Sequence, residues 1–334
     1  MLSYRIAKMN TTIETEVNYL DQSVESSLYR NGKVYTFRDT DGNDSNWYGA
    51  KLTPQKVVIN DAREKNHTID ANGFELINAP LLKENLDFLD LNDVVKNYYP
   101  QCEDILKKAT HASEVYAFDH NIRWKSANEQ QTQITDGQQI QQPIYVMHGD
   151  YTISSVEDRI YALGKPLGDN DTLKKFLEPG AALIPHDVIS KIFDEKKRFS
   201  IINVWRNIDK LPVQRDPLGL CDGKSISYDD LVVFEINYKD RIGENYFAKH
   251  SSKHEWWYFP QATPDEAILL KQWDSIGVMA TNPTSTSMYK NDNRGKDNSV
   301  CNFSLHGAFK DPNSHVDSPE RRSIEVRCVV FYDD

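Results

Sequence analysis

Cysteine is scarce and scattered in this chain. Cys102, Cys221, Cys301 and Cys328 form no CxxC pair, which excludes a disulfide framework or a cysteine zinc site and fits reduced thiols. No stretch approaches eighteen apolar residues, so a transmembrane helix is excluded. The opening residues, Met1 to Asn10, lack an apolar run of signal-peptide length, and a soluble cytoplasmic protein is expected. Positive charge is in deficit: 39 Lys and Arg against 50 Asp and Glu give a net charge of −11. That balance argues against nucleic acid as a partner, since binders of polyanions carry basic patches. Internal repeats are missing too, so nothing points to an extended scaffold. With an intracellular location, triplets such as Asn66-His67-Thr68 are inert as glycosylation sites.

What remains is a chain of 334 residues, long enough to bury a large core. Residues up to about 45 are polar and end in Asp39-Thr-Asp-Gly-Asn-Asp-Ser45, which reads as a turn-rich surface arm, disordered over its first fifteen residues. A short strand is expected at Val57 to Ile59. Leu91 to Thr110 reads as two helical stretches divided at Pro100, which suits the first position of the second. After Ser113 the pattern turns to alternation and β-branched runs. A capping-box start at Ser154-Ser155-Val-Glu157-Asp158 predicts a short helix ending near Gly164. Strands are predicted at 199–205, 231–238, 256–259, 267–273, 301–309 and 323–331. Consecutive strands without intervening helices argue for antiparallel pairing. The expected architecture is therefore a mainly β double-stranded β-helix, or jelly roll, over 112–334, with an N-terminal arm and helical segment, 1–111, packed on it. The glutamine-rich piece 129–142 reads as a surface hairpin or lid, and the polar stretch 280–298 as a long loop over a site.

Two residues apart in Ile144-Tyr-Val-Met-His-Gly-Asp-Tyr-Thr152 stand His148 and Asp150. On a strand they share a face, so both can reach one ion. With His306 far downstream they make two imidazoles and one carboxylate, the donor set of non-haem Fe(II) oxygenases with half the coordination sphere free. An isolated His-x-acid triplet proves little: 9 His and 50 acidic residues give about one by chance. His315-Val316-Asp317 is such a match, in a turn-rich loop with no later His. His250 and His254 could replace His306, but they lie in a polar linker. Arg321 and Ser323 follow on a strand whose alternation puts both on one face, where guanidinium and hydroxyl can grip a carboxylate. Arg327, on the same face, is the second candidate anchor, and Arg206 is either a further carboxylate contact or a partner of Asp209. Tyr151, Arg123 and Trp257 are candidate substrate contacts, although the cluster Trp256-Trp257-Tyr258-Phe259 more often builds a core.

The ordered segments Asn18-Tyr19-Leu20, Val57-Val-Ile-Asn-Asp-Ala-Arg63, Phe118-Asp119-His120-Asn121-Ile122-Arg123, His148-Gly-Asp-Tyr-Thr152, Asn203-Val-Trp-Arg206, Trp257-Tyr-Phe-Pro260, His306-Gly-Ala-Phe309 and Ser323-Ile-Glu-Val-Arg327 resemble the AsaB-like family. That group includes fungal hydroxylase/desaturases, gibberellin desaturase-like proteins and relatives of a cephamycin methoxylase chain. The resemblance runs from about residue 17 to 332. It implies an Fe(II)/2-oxoglutarate-dependent dioxygenase, with His148, Asp150 and His306 on iron, Arg321 and Ser323 on 2-oxoglutarate, and O2 as oxidant. The expected reaction oxidises an unactivated C–H bond of a small specialised metabolite by hydroxylation, desaturation or ring closure, kainoid-type cyclisation of a prenylated amino acid among them. A non-catalytic jelly-roll binding module is the alternative, and a zinc hydrolase on the same triad a third reading.

Overall fold

In the computed structural model residues 12–39, 44–280 and 297–333 are described. Strands β1 (Thr12–Leu20), β2 (Tyr35–Phe37), β3 (Leu52–Asp61) and β4 (Phe74–Asn78) precede the helix Tyr99–Thr110. Strand β5 (Glu114–Arg123) and the two-residue β6 (His148–Gly149) precede the helices Ser155–Leu163 and His186–Asp194. The remaining strands are β7 (Phe199–Asn207), β8 (Leu218–Cys221), β9 (Leu231–Asn237), β10 (Ile242–Ala248), β11 (Trp256–Tyr258), β12 (Glu266–Asp274), β13 (His306–Ala308) and β14 (Ser323–Phe331).

The described strands form two sheets, a nine-stranded one ordered β1-β3-β11-β8-β13-β6-β10-β9-β2 and a five-stranded one ordered β4-β12-β7-β14-β5. Pairing is antiparallel except at β3–β11 and β2–β9. This is the expected double-stranded β-helix. Strand β7 is buried along its whole length and β14 nearly so. Such runs need cover on both faces. The helix Tyr99–Thr110 packs against β5 and β14 on one side, and the large sheet faces the other.

Several local expectations change. The polar N-terminal stretch is no loose arm where it is described: all of β1 pairs with β3 and buries Ile13, Val17 and Tyr19. Their period of two was present but diluted by polar neighbours. Residues 1–11 and 281–296 lie outside the described part, and with them most of the predicted disorder and of the long loop. Pro100 opens the helix Tyr99–Thr110, and the expected helical stretch before it is present as an α-helical turn, Leu91–Asp93, that runs into a π-helical turn, Val94–Tyr98. At the next helix Ser154 makes no side-chain cap. Thr152 and Ser155 instead exchange backbone-to-hydroxyl bonds of 2.9 and 3.1 Å. The glutamine-rich segment does turn back on itself, through the Gln133–Gln139 bridge, yet it is anchored by buried Ile134 and Ile140. All four cysteines are buried free thiols.

Candidate metal and co-substrate site

Strand β13 lies antiparallel beside β6, with His306 directly opposite His148. That register brings the imidazoles to 4.4 Å between ring centroids. Asp150, two residues beyond His148, turns back between them: its Oδ1 is 3.6 Å from His148 Nε2 and 3.9 Å from His306 Nε2. All three side chains are buried. Their donor atoms lie within 4.8 Å of one another, which suits one metal ion.

Neighbouring groups set the protonation this donor set requires. His148 Nδ1 lies 2.9 Å from the Val146 carbonyl oxygen. A proton donated there leaves the Nε2 lone pair facing Asp150. Burial, helped by the adjacent His148, depresses His306 to about 3 and keeps it neutral. Burial alone would raise Asp150, but the Arg327 charge and the two imidazoles hold it well below the usual carboxylate range. Its second oxygen, Oδ2, accepts from Asn203 Nδ2 at 2.9 Å and from Arg327 Nε at 3.3 Å. Oδ1 is thereby the oxygen left for a metal. Arg327 is itself fixed by Asn121 at 2.6 Å and Asp119 at 3.1 Å.

Close approach of β13 to β6 depends on glycine at 307. A Cβ there would sit 2.5 Å from Met147 Cε and 2.9 Å from the Val146 carbonyl oxygen that His148 uses. Gly307→Ala is expected to push the two histidine strands apart, lowering both metal affinity and the unfolding midpoint. A variant that binds metal and melts like the parent would show the spacing is not controlled there.

On one side of the triad a narrow cleft of about 20 Å³ is lined by Arg123, Trp205, His148, His306, Arg321 and Glu325 among others. Arg321 is buried, its Nη1 donating to the Asp216 carbonyl at 2.7 Å. Its Nε and the Ser323 hydroxyl are buried with no hydrogen-bond partner among the described residues. Each such orphan costs about 1–3 kcal/mol, so the pair points to a ligand that satisfies both. Burial and the nearby Arg123 lower the Arg321 guanidinium to about 10, against the weaker opposing pull of Asp216 and Glu325. On the other side a cavity of about 360 Å³ includes Asp150, Tyr151, Arg159 and Arg327 in its lining.

The candidate residues therefore separate. His148, Asp150 and His306 meet, with Arg321 and Ser323 beside them. Arg327 steadies Asp150 from the larger cavity. Tyr151 lines that cavity, whereas Arg123 lines the narrow cleft and donates to Gln141 Oε1 and the Gln142 carbonyl, each at 3.0 Å. Two expectations are corrected. Arg206 points to the opposite face of β7, where it donates to Tyr98, Ala79 and Pro264 at 2.9, 2.6 and 2.5 Å; neither a ligand carboxylate nor Asp209 is its partner. Trp257 packs on His67, ring centroids 4.5 Å apart, and lines neither cavity at the triad. His254 is held by Tyr19 and Asp230, and His315 is on the surface, its side chain 75% exposed. Asn203 was passed over as a site residue. Its signal was the two-residue spacing to Trp205 on β7, both facing inward while Arg206 faces out.

Arg206→Met is expected to lose about 3 kcal/mol of stability, since a buried tyrosine hydroxyl and two part-buried carbonyls are left unpaired. Denaturant unfolding measures this, and an unchanged 2-oxoglutarate requirement should accompany it. Asn203→Leu should instead leave the fold intact and weaken metal binding roughly 10–100-fold, the usual cost of losing an outer partner of a ligand. Equal metal titrations for variant and parent would refute that role.

A family model described as an oxidoreductase/YMDC permease-like domain matches residues 17–177 and 181–331. The chain belongs to this family. No described helix is long and apolar enough to cross a membrane. A Methylophilus leisingeri sequence described as an uncharacterized protein in the dcmA 3' region is 99% identical over 63% of this chain and 97% of its own length. Hydroxylase/desaturase efuI of Hormonema carpetanum is 28% identical over 98% of each chain. The Fe(II)/2-oxoglutarate-dependent dioxygenase nvfI of Aspergillus novofumigatus is 27% identical over 84% of each. The solved structure of the iron and alpha-ketoglutarate-dependent endoperoxidase NvfI aligns with a TM-score of 0.67 at 21% identity, over 96% of this chain and 98% of that one. The fold is shared, and the chain is an oxidoreductase as its sequence led us to expect.

Proposed function

We propose that the protein is an Fe(II)/2-oxoglutarate-dependent dioxygenase in which His148, Asp150 and His306 hold the iron, Arg321 and Ser323 receive the far carboxylate of 2-oxoglutarate, and a small-molecule substrate occupies the cavity beside Asp150 and Tyr151. The observation that carries this reading is the pair of orphaned buried donors, Arg321 Nε and, two residues on, Ser323 Oγ, with Arg321 lining a cleft next to three converging ligands. Iron, 2-oxoglutarate and O2 together supply the oxidising power to break an unactivated C–H bond, with succinate and CO2 as co-products. The protein's own part is placement. Asn203 and Arg327 hold Asp150 by one oxygen, and the Val146 carbonyl orients His148. Arg321, in hydrogen-bond contact with no carboxylate among the described residues, offers a planar fork that a point charge could not replace.

The cleft offers only about 20 Å³, so this reading requires its lining side chains to move aside for 2-oxoglutarate. Hydroxylation, desaturation and ring closure all start from the same C–H cleavage; the position of the substrate against the triad decides among them. Four free buried thiols fit work in a reducing compartment such as the cytoplasm. The test is conversion of 2-oxoglutarate to succinate by purified protein under oxygen. Turnover that requires Fe(II) supports the proposal. Metal-independent binding alone favours a binding module, and hydrolysis with Zn(II) a different enzyme.

A further inference from the structure

The larger cavity is polar, and the charges on its wall are unevenly committed. Of the acids on the wall, Asp39 and Asp158 also line it, Asp158 71% exposed and 3.9 Å from Arg30, and the inner ones are committed. Glu244 is paired with Arg30 at 2.7 Å and accepts from the hydroxyls of Thr152 and Ser154. Asp119 accepts from Thr172 at 2.6 Å and from Arg327 at 3.1 Å. Asp150 belongs to the triad.

The basic side differs. Arg159 and Arg241 both line the cavity, and the carboxylate that forms an ion pair with each is the same one, Asp171, which does not line it. Asp171 Oδ1 is 2.7 Å from Arg159 Nη1 but 3.8 Å from Arg241 Nη1. The first is a firm bond, the second a loose ion pair. Each guanidinium rests on a ring, Arg159 over Phe118 at 5.0 Å and Arg241 over Tyr238 at 4.7 Å. Stacking fixes the planar forks without neutralising them. The Arg159 side chain is only 10% exposed, so its charge is poorly served by solvent. Two cations sharing one anion at the wall of a cavity is an arrangement that a second anion completes.

Resting on the dioxygenase reading above, we propose that Arg159 and Arg241 bind an anionic group of the substrate, which is a small hydrophilic organic acid, carboxylic or phosphoric. The volume agrees: about 360 Å³ is at the small end for ligand cavities. Lining chemistry agrees as well. Phe118, Ala162, Ile236 and Ile242 are the aliphatic and phenyl side chains among the described lining residues; most of the others are polar, and those that rely on water would be stripped of it by an apolar ligand, at about 1–3 kcal/mol for each polar group left unpaired.

The experiment measures binding to the full chain loaded with Zn(II) and saturating 2-oxoglutarate, so that Arg321 is already occupied and no turnover occurs. Ligand-observed NMR compares N-acetyl-L-valine with its methyl ester, and glycerol 3-phosphate with farnesol. Binding by either acid and by neither neutral probe is expected, and the acid that binds identifies the type of anion. In Arg241→Gln, at a partly exposed position that the fold tolerates, affinity should drop at least tenfold; Arg159→Gln should do the same. Equal binding of acid and ester, binding by farnesol alone, no binding by either acid, or unchanged affinity in both variants would overturn the proposal. Failure of the dioxygenase reading looks different: the acids still bind and depend on Arg241, but no succinate forms when Fe(II) and O2 replace Zn(II).

Discussion

His148→Ala and Asp150→Ala each lose bound iron and all succinate formation, while circular dichroism and the unfolding midpoint remain close to the parent's. Neither side chain supports the hydrophobic core; both project into the space between the sheets, and their partners there are one another, His306 and polar groups. Loss of a ligand should cost more than the roughly 10–100-fold expected for an outer partner such as Asn203. Asp150→Ala also frees Arg327, but Asp119 and Asn121 still hold that guanidinium at 3.1 and 2.6 Å, so no bare buried cation results. Substantial Fe(II)-dependent turnover in either purified variant would remove the triad from the mechanism. Collapse of the fold in both would make the residues structural.

Arg321→Lys raises the 2-oxoglutarate KM by about 10–100-fold, equivalent to losing one charge-assisted hydrogen bond of about 1.5–3 kcal/mol, and leaves kcat at saturation nearly unchanged. The lysine keeps the charge but not the fork. Nη1 of Arg321 is tied to the Asp216 carbonyl at 2.7 Å, which fixes the guanidinium at the cleft wall while its Nε keeps no partner among the described residues. Arg327→Lys should behave otherwise. Arg327 bonds Asp150 and not the cleft, so its loss should show in metal affinity before co-substrate affinity. If the two variants exchanged these phenotypes, the carboxylate would sit on Arg327 and the two cavities would have exchanged roles.

Much of the site was legible because its chemistry is local. His148 and Asp150 are two residues apart on one strand face, and alternation along β14 puts Arg321, Ser323, Glu325 and Arg327 on the inner side with Ile324 and Val326 opposite. Strand β14 itself coincides with the alternating run from Ser323 to Phe331. What sequence could not give was the direction of a residue whose strand is buried on both faces. Every residue of β7 is apolar or buried-polar, so no contrast in polarity marks its inner side, and Arg206 reads as well for a ligand as for a buttress. Only Tyr98 and the carbonyls of Ala79 and Pro264, remote in sequence, decide it. Strand β1 was obscured for the opposite reason: Glu14, Glu16 and Asn18 hide the inward period of Ile13, Val17 and Tyr19. The pairing of Arg159 with Arg241 around Asp171 joins residues from separate segments and has no local signature at all.

One structure determination tests the central claim most directly: anomalous diffraction from anaerobic crystals grown with Mn(II) and 2-oxoglutarate. A single manganese peak within bonding distance of His148 Nε2, Asp150 Oδ1 and His306 Nε2, with the far carboxylate of the keto acid on Arg321 and Ser323, is the predicted result. Manganese bound elsewhere, or a carboxylate lodged against Arg327 in the larger cavity, would contradict it.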